Sequence, residues 1–79
     1  MARPVTQRQR EVLRLVAEGL SNEEIALRLR ISVSGVKKHL EALTRRYQVT
    51  SRTALVRAAI EAGDLAITIR SNNRQIGDS

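Results

Sequence analysis

Five cations, Lys37, Lys38, Arg45, Arg46 and Arg52, stand against a single acid, Glu41, between residues 32 and 52. That stretch carries +4 of the chain's net charge of +6. Ammonium and guanidinium groups are pure donors and suit a polyanionic surface such as a phosphate backbone, whereas a carboxylate only accepts. A charge cluster of this kind is also what an ordinary solvated helix face carries, so the pattern around it has to decide. His39 is the one histidine. No carboxylate and serine constellation is readable around it, which argues against nucleophilic catalysis and for a phosphate contact at the flank of a groove or a partly buried polar contact. Tyr47 is the one aromatic residue, so there is no platform on which single-stranded bases could stack. Packing of its ring in the core, with the hydroxyl at the rim, is the expected role.

The cations sit in a recognisable frame. Residues 21–40, SNEEIALRLRISVSGVKKHL, read as two short helices joined by a tight turn, the second of them basic. Ser21 can cap the first while Glu24, three residues on, reaches back to the cap amide, and Leu20 and Ile25 occupy the positions of a hydrophobic staple. Arg30 to Ser32 make the turn, and Ser32 or Ser34 caps the next helix. The small Ala26 lies where the second helix must cross closely, and Gly35 suits close approach to another backbone. This is the layout of a helix-turn-helix that reads double-stranded DNA.

The rest of the chain extends the same pattern. Thr6 with Gln9 forms another capping box before an apolar stripe of Val12, Leu13, Leu15 and Val16 that Gly19 stops. Ser51 caps a last helix that Gly63 ends. The expected fold is all-α, a four-helix helix-turn-helix domain with helices at about 7–18, 22–29, 33–47 and 52–62. Residues 1–65 form the domain and 66–79 a short extended or partly disordered tail. Across that boundary Leu65, Ile67 and Ile69 alternate with Ala66, Thr68 and Arg70 at the period of a strand, which either packs back, the favoured reading for Leu65, or pairs with a partner chain.

At about 100° per residue, Val36, Leu40, Leu43 and Tyr47 fall in one narrow arc of the third helix and must face the core. Ser34, Lys38, Glu41 and Arg45 lie almost opposite, flanked by Lys37 on one side and by Gly35, His39 and Arg46 on the other. Lysine suits guanine O6 and N7, serine is permissive, and a carboxylate such as Glu41 can accept from cytosine N4. Lys37 and Lys38 are the expected base readers. Glu41 is equally suited to helix-surface ion pairs with Lys37, Lys38 and Arg45. Arg45, Arg46 and Arg52 lie further from the helix start and suit phosphates, which position rather than specify.

On the fourth helix Leu55, Ala58, Ala59 and Ala62 fit against the first and third helices, while Val56 and Ile60 share a separate face beside Thr53. A homodimer through that face would set two recognition helices about one helical turn apart on a two-fold site. Two tolerated surface aliphatics are the alternative.

Composition excludes other classes. Seventy-nine residues give one domain with a modest core. There is no cysteine for a disulfide or thiolate metal site, and no cofactor motif or nucleophile paired with a base. No apolar run approaches the roughly 18 residues of a spanning helix. The reading is a cytoplasmic protein without cofactor, metal or enzymatic activity, and no membrane association.

From Val5 to Leu65 the chain resembles the LuxR-type (GerE-like) helix-turn-helix domain of bacterial transcription regulators. The resemblance rests on TQRQREVL at 6–13, EGLSN at 18–22, EIA at 24–26, LRIS at 29–32, VKKHL at 36–40, Val49, Ser51 with Arg52, and AGDL at 62–65. It implies major-groove binding by the third helix and dimerisation through the fourth. It also implies base contacts from Lys37, Lys38 and Glu41, with phosphate contacts from Ser34, His39, Arg46, Arg52 and the cap region around Asn22.

Departures from the family pattern are local. Gly35 stands where threonine is usual, and Tyr47 and Gln48 replace a leucine and glycine at the exit of the third helix. Glu41 occupies a position that is often polar or basic. Related regulators commonly carry a receiver or ligand-binding domain ahead of this module, so a standalone regulator and an excised effector domain both fit. The first half is also similar to promoter-binding region four of sigma factors. SRTALV at 51–56 and the terminal AGDL favour the LuxR-type reading. A module that holds RNA polymerase through protein contacts is the remaining alternative.

Overall fold

Reciprocal side-chain caps start the first two helices of the computed structural model, which describes residues 4–66. Thr6 Oγ1 accepts from the Gln9 N–H at 3.0 Å, and Gln9 Oε1 accepts from the Thr6 N–H at 3.0 Å, opening α1 (Gln7–Ala17). Ser21 Oγ accepts from the Glu24 N–H at 3.2 Å while Glu24 Oε1 accepts from the Ser21 N–H at 2.8 Å, opening α2 (Asn22–Leu29). Of the two candidate serines, Ser32 caps α3 (Val33–Tyr47), accepting from the Gly35 N–H at 2.9 Å. Ser51 does the same for α4 (Arg52–Glu61), with the Ala54 N–H at 3.0 Å. Each cap satisfies an amide that has no partner within its helix, an effect worth ~1 kcal/mol.

The four exits use two kinds of residue. Gly19 (φ 92°) and Gly63 (φ 81°) provide the left-handed step after α1 and α4. Leu20 and Asp64 then donate back to the carbonyls of Leu15 (3.1 Å) and Ala59 (2.9 Å). After α2 and α3 the same step falls on Arg30 (φ 60°) and Gln48 (φ 57°), with Ile31 donating to Ala26 and Val49 to Thr44, both at 3.0 Å. Gln48 thus keeps the glycine-like geometry at the exit of α3 without the glycine. The helices expected over 7–18 and 52–62 end one residue earlier, because Glu18 and Ala62 are the half-helical caps.

Four short amphipathic helices bury one common core. α1 packs on α2, α3 and α4, and α3 packs on the other three, whereas α2 and α4 are not neighbours. The fully buried side chains come from every helix: Val12 and Leu13, Ile25, Val36 and Leu43, and Leu55. Truncating Leu13, Ile25, Leu43 or Leu55 to alanine costs ~2–5 kcal/mol, a large share of a small domain's stability. Val5 and Leu65 close the core from the segments outside the helices, so Leu65 packs back as expected. Residues 67–70 of the alternating segment, and the rest of the tail, lie outside the described residues.

Two packing expectations need correcting. A Cβ added to Gly35 would meet Ser32 Oγ at 3.3 Å and the Ile31 side chain at 3.8 Å, so the crowding comes from the cap turn and not from a second backbone. Ala62 is exposed at the end of α4, beyond the reach of the core that takes Leu55 and Ala59.

Candidate nucleic-acid interface

Val36 and Leu43 are buried, and Leu40 and Tyr47 pack partly against the same core, which turns the opposite side of α3 outward. Ser34, Lys37, Lys38, Glu41, Arg45 and Arg46 are exposed, and His39 is half-buried at the flank. Among the described residues, Lys37, Lys38 and Glu41 make no side-chain hydrogen bond or ion pair. An ion pair does form on α1, from Arg8 Nη1 to Glu11 Oε1 at 3.2 Å. The i,i+3 and i,i+4 pairs that would occupy Glu41 are not formed. The ridge offers two donors and an acceptor with no internal partner to displace.

The flanking cations are held differently. Arg52, at the start of α4, donates through Nη1 to Asn22 Oδ1 at 2.9 Å and through Nη2 to the Leu20 carbonyl at 2.8 Å. The guanidinium therefore bridges the start of α4 to the cap turn of α2. Asn22, Lys37 and Arg52 line one shallow depression of about 460 Å³ with Gly19, Ser21 and Val33. It lies at the positive end of α2, where unpaired backbone amides favour an anion. Two acids of the first turn, Glu23 and Glu24, also border it.

At the other end of α3, the Arg46 guanidinium carbon lies 5.8 Å from the centroid of the Tyr47 ring. Tyr47 Oη donates to Asp64 Oδ2 at 2.6 Å, 17 residues away in sequence. Burial, then the hydrogen bond and negative charge of Asp64, pushes the Tyr47 phenol up to about 12, against the opposing pull of the Arg46 guanidinium. This pair was not legible in the sequence: spacing placed the tyrosine hydroxyl at the core's rim but offered no partner.

Val56 and Ile60 are half-buried against the core and not fully free as helix spacing alone implied. With Thr53 they line an open groove of about 540 Å³ whose other wall is Val16 and Ala17 of α1. Leu27 on α2 is the one large apolar side chain left mostly exposed among the described residues. No helix among those residues is long and apolar enough to cross a membrane.

Four capped helices, a tight turn between α2 and α3, and an exposed basic ridge on α3 define a helix-turn-helix domain of the DNA-binding class. The chain belongs to the luxR family of bacterial regulatory proteins, whose GerE family model matches residues 3–59. Response regulator Rre1 of Synechocystis is 45% identical over 58 residues, covering 73% of this chain and 25% of that protein. The monoamine regulon transcriptional regulator of Klebsiella aerogenes is 44% identical over 52 residues, 66% of this chain and 23% of that protein. The solved structure of response regulator ChrA, from a heme-sensing two-component system, superposes with a TM-score of 0.80 at 32% identity, covering 82% of this chain and 32% of that one. The chain thus spans between about a quarter and a third of the length of these relatives.

Proposed function

We propose that the domain binds double-stranded DNA sequence-specifically as the output module of a transcription regulator, with α3 in the major groove. The observation that carries this is the exposed ridge of Lys37, Lys38 and Glu41, unpaired and directly opposite the buried face of the same helix. Lys37 and Lys38 read base edges and Glu41 accepts from a cytosine amine. Asn22, Ser34, His39, Arg45, Arg46 and Arg52 surround that ridge and hold phosphates, setting register. The Arg52 clamp on Asn22 and Leu20 supports a preset grip in which the guanidinium's remaining N–H groups face the duplex.

Two copies joined through Thr53, Val56 and Ile60 of α4 read a two-fold site. The groove that these residues form with Val16 and Ala17 supports that face as the contact. The test is selection of bound duplexes from a random pool, with protein stoichiometry measured on the winning site. The expected outcome is a palindrome with half-sites about one helical turn apart and two protomers bound. Val56→Asp and Ile60→Asp should each leave one folded protomer per half-site and abolish the second's cooperative binding. An asymmetric winning site holding one protomer would remove the dimer, and polymerase binding that survives charge reversal at Lys37 and Lys38 would replace the DNA-reading role.

A further inference from the structure

Arg46 is exposed at the last turn of α3, but its surroundings are built. Its guanidinium lies at 5.8 Å from the Tyr47 ring centroid, within cation–π range. The ring is fixed at its far end by the 2.6 Å hydrogen bond to Asp64. Asp64 is itself fixed, for its N–H closes the end of α4 on the Ala59 carbonyl at 2.9 Å and Leu65 beside it is buried. A long arginine ordinarily loses up to ~2 kcal/mol of rotamer freedom when it grips a ligand, and a fixed aromatic face reduces that loss beforehand.

We propose that Tyr47 and Asp64 are positioning residues for Arg46, holding its guanidinium at the exit of α3 where it meets a DNA phosphate. The proposal rests on the reading of Arg46 as a phosphate contact. It assigns a role to the residue that replaces the family's leucine at position 47, and to a carboxylate that would otherwise repel DNA. Asp64 accepts from the tyrosine hydroxyl, so an acid beside the grip organises it.

The experiment measures affinity of the whole chain for its selected duplex between about 0.05 and 0.2 M salt. Arg46→Ala should lower the salt slope by about one, an affinity loss of about eightfold at 0.1 M from ~0.9 per phosphate. Tyr47→Phe keeps the ring but frees it from Asp64, and should lower the slope by part of that amount. The double variant Tyr47→Phe with Arg46→Ala should bind no more weakly than Arg46→Ala alone, because both changes act through one contact. Asp64→Ala should behave as Tyr47→Phe does, whereas Asp64→Asn, which keeps an acceptor, should restore the wild-type slope. This rescue keeps the test decisive should Tyr47→Phe unfold the chain. Wild-type slopes for Tyr47→Phe and Asp64→Ala, with only a lower melting temperature, would reduce the pair to a structural tie. An unchanged slope for Arg46→Ala would instead overturn the phosphate reading, and the proposal with it.

Discussion

Lys38 leaves α3 with no side-chain partner among the described residues, whereas Arg52 is bound through both terminal nitrogens to Asn22 and Leu20 before any ligand arrives. The two cations belong to one proposed interface and differ in when their ordering is met. An unheld lysine is ordered on binding, at up to ~2 kcal/mol, and only a well-placed acceptor offsets that. Such a side chain discriminates, because a wrong base leaves the loss uncompensated. A guanidinium already fixed by the fold contributes the same attraction to every duplex, since phosphates recur at every step. Arg46 resembles Arg52 in being held, with an aromatic ring in place of a carbonyl and an amide.

The largest expected effect tests this division directly. Lys38→Ala should reduce discrimination at one base position by ~1–3 kcal/mol and leave non-specific binding nearly intact. Arg52→Ala should weaken all duplexes alike, lower the salt slope by about one, and also destabilise the free domain by about 1 kcal/mol. The stability loss follows from the two hydrogen bonds by which Arg52 ties the start of α4 to Asn22 and Leu20. Titrations against the selected duplex and its single-base variants, together with thermal melts, separate the two. Equal weakening of every duplex by both variants would show that Lys38 is another phosphate contact and that the division is wrong.

What the sequence made legible follows the range of each interaction. The caps at Thr6, Ser21 and Ser51 span three residues, so their chemistry is visible in a short window. The two faces of α3 are equally local, because periodicity alone separates Val36 and Leu43 from Lys38 and Glu41. The links from Arg52 to Asn22 and Leu20, and from Tyr47 to Asp64, cross 30, 32 and 17 residues. No period or motif encodes such a partner, for it depends on how α4 docks. The partial burial of Val56 and Ile60 was hidden for the same reason, since α1 supplies the other wall of their groove. The left-handed exits at Arg30 and Gln48 were hidden by residue type, as neither side chain advertises that backbone.

The held end of the interface can also be titrated. The folded Tyr47 phenol is pushed up to about 12, above the ordinary value of 10.0, so its protonated form is the one the fold favours. Its contribution is therefore complete below about pH 10 and is lost as pH rises through about 12. Denaturation followed across that window should show wild type losing about 1–2 kcal/mol more than Tyr47→Phe, whose ring cannot ionise. Parallel curves would mean that the hydroxyl is not differentially held in the folded chain.

The smallest expected effect concerns the backbone beneath both ends. Gln48 (φ 57°) takes the left-handed conformation that Gly63 (φ 81°) takes after α4. An L-residue there is strained by about 1–2 kcal/mol, while glycine adds unfolded-chain entropy worth ~0.4–1 kcal/mol. The difference leaves Gln48→Gly more stable by roughly 0.5–1 kcal/mol, a rise of a few degrees in melting temperature for a domain of this size. Because Gln48 is off the exposed ridge, discrimination between duplexes should not change. Its effect on Arg46 is the sharper question, since Gln48 directly follows Tyr47. If the grip at the exit of α3 is held by Tyr47 and Asp64, a glycine that keeps the same backbone step leaves the salt slope unchanged. A lower slope in a more stable protein would show instead that stiffness of the exit itself, and not the tyrosine–aspartate bond, holds the arginine.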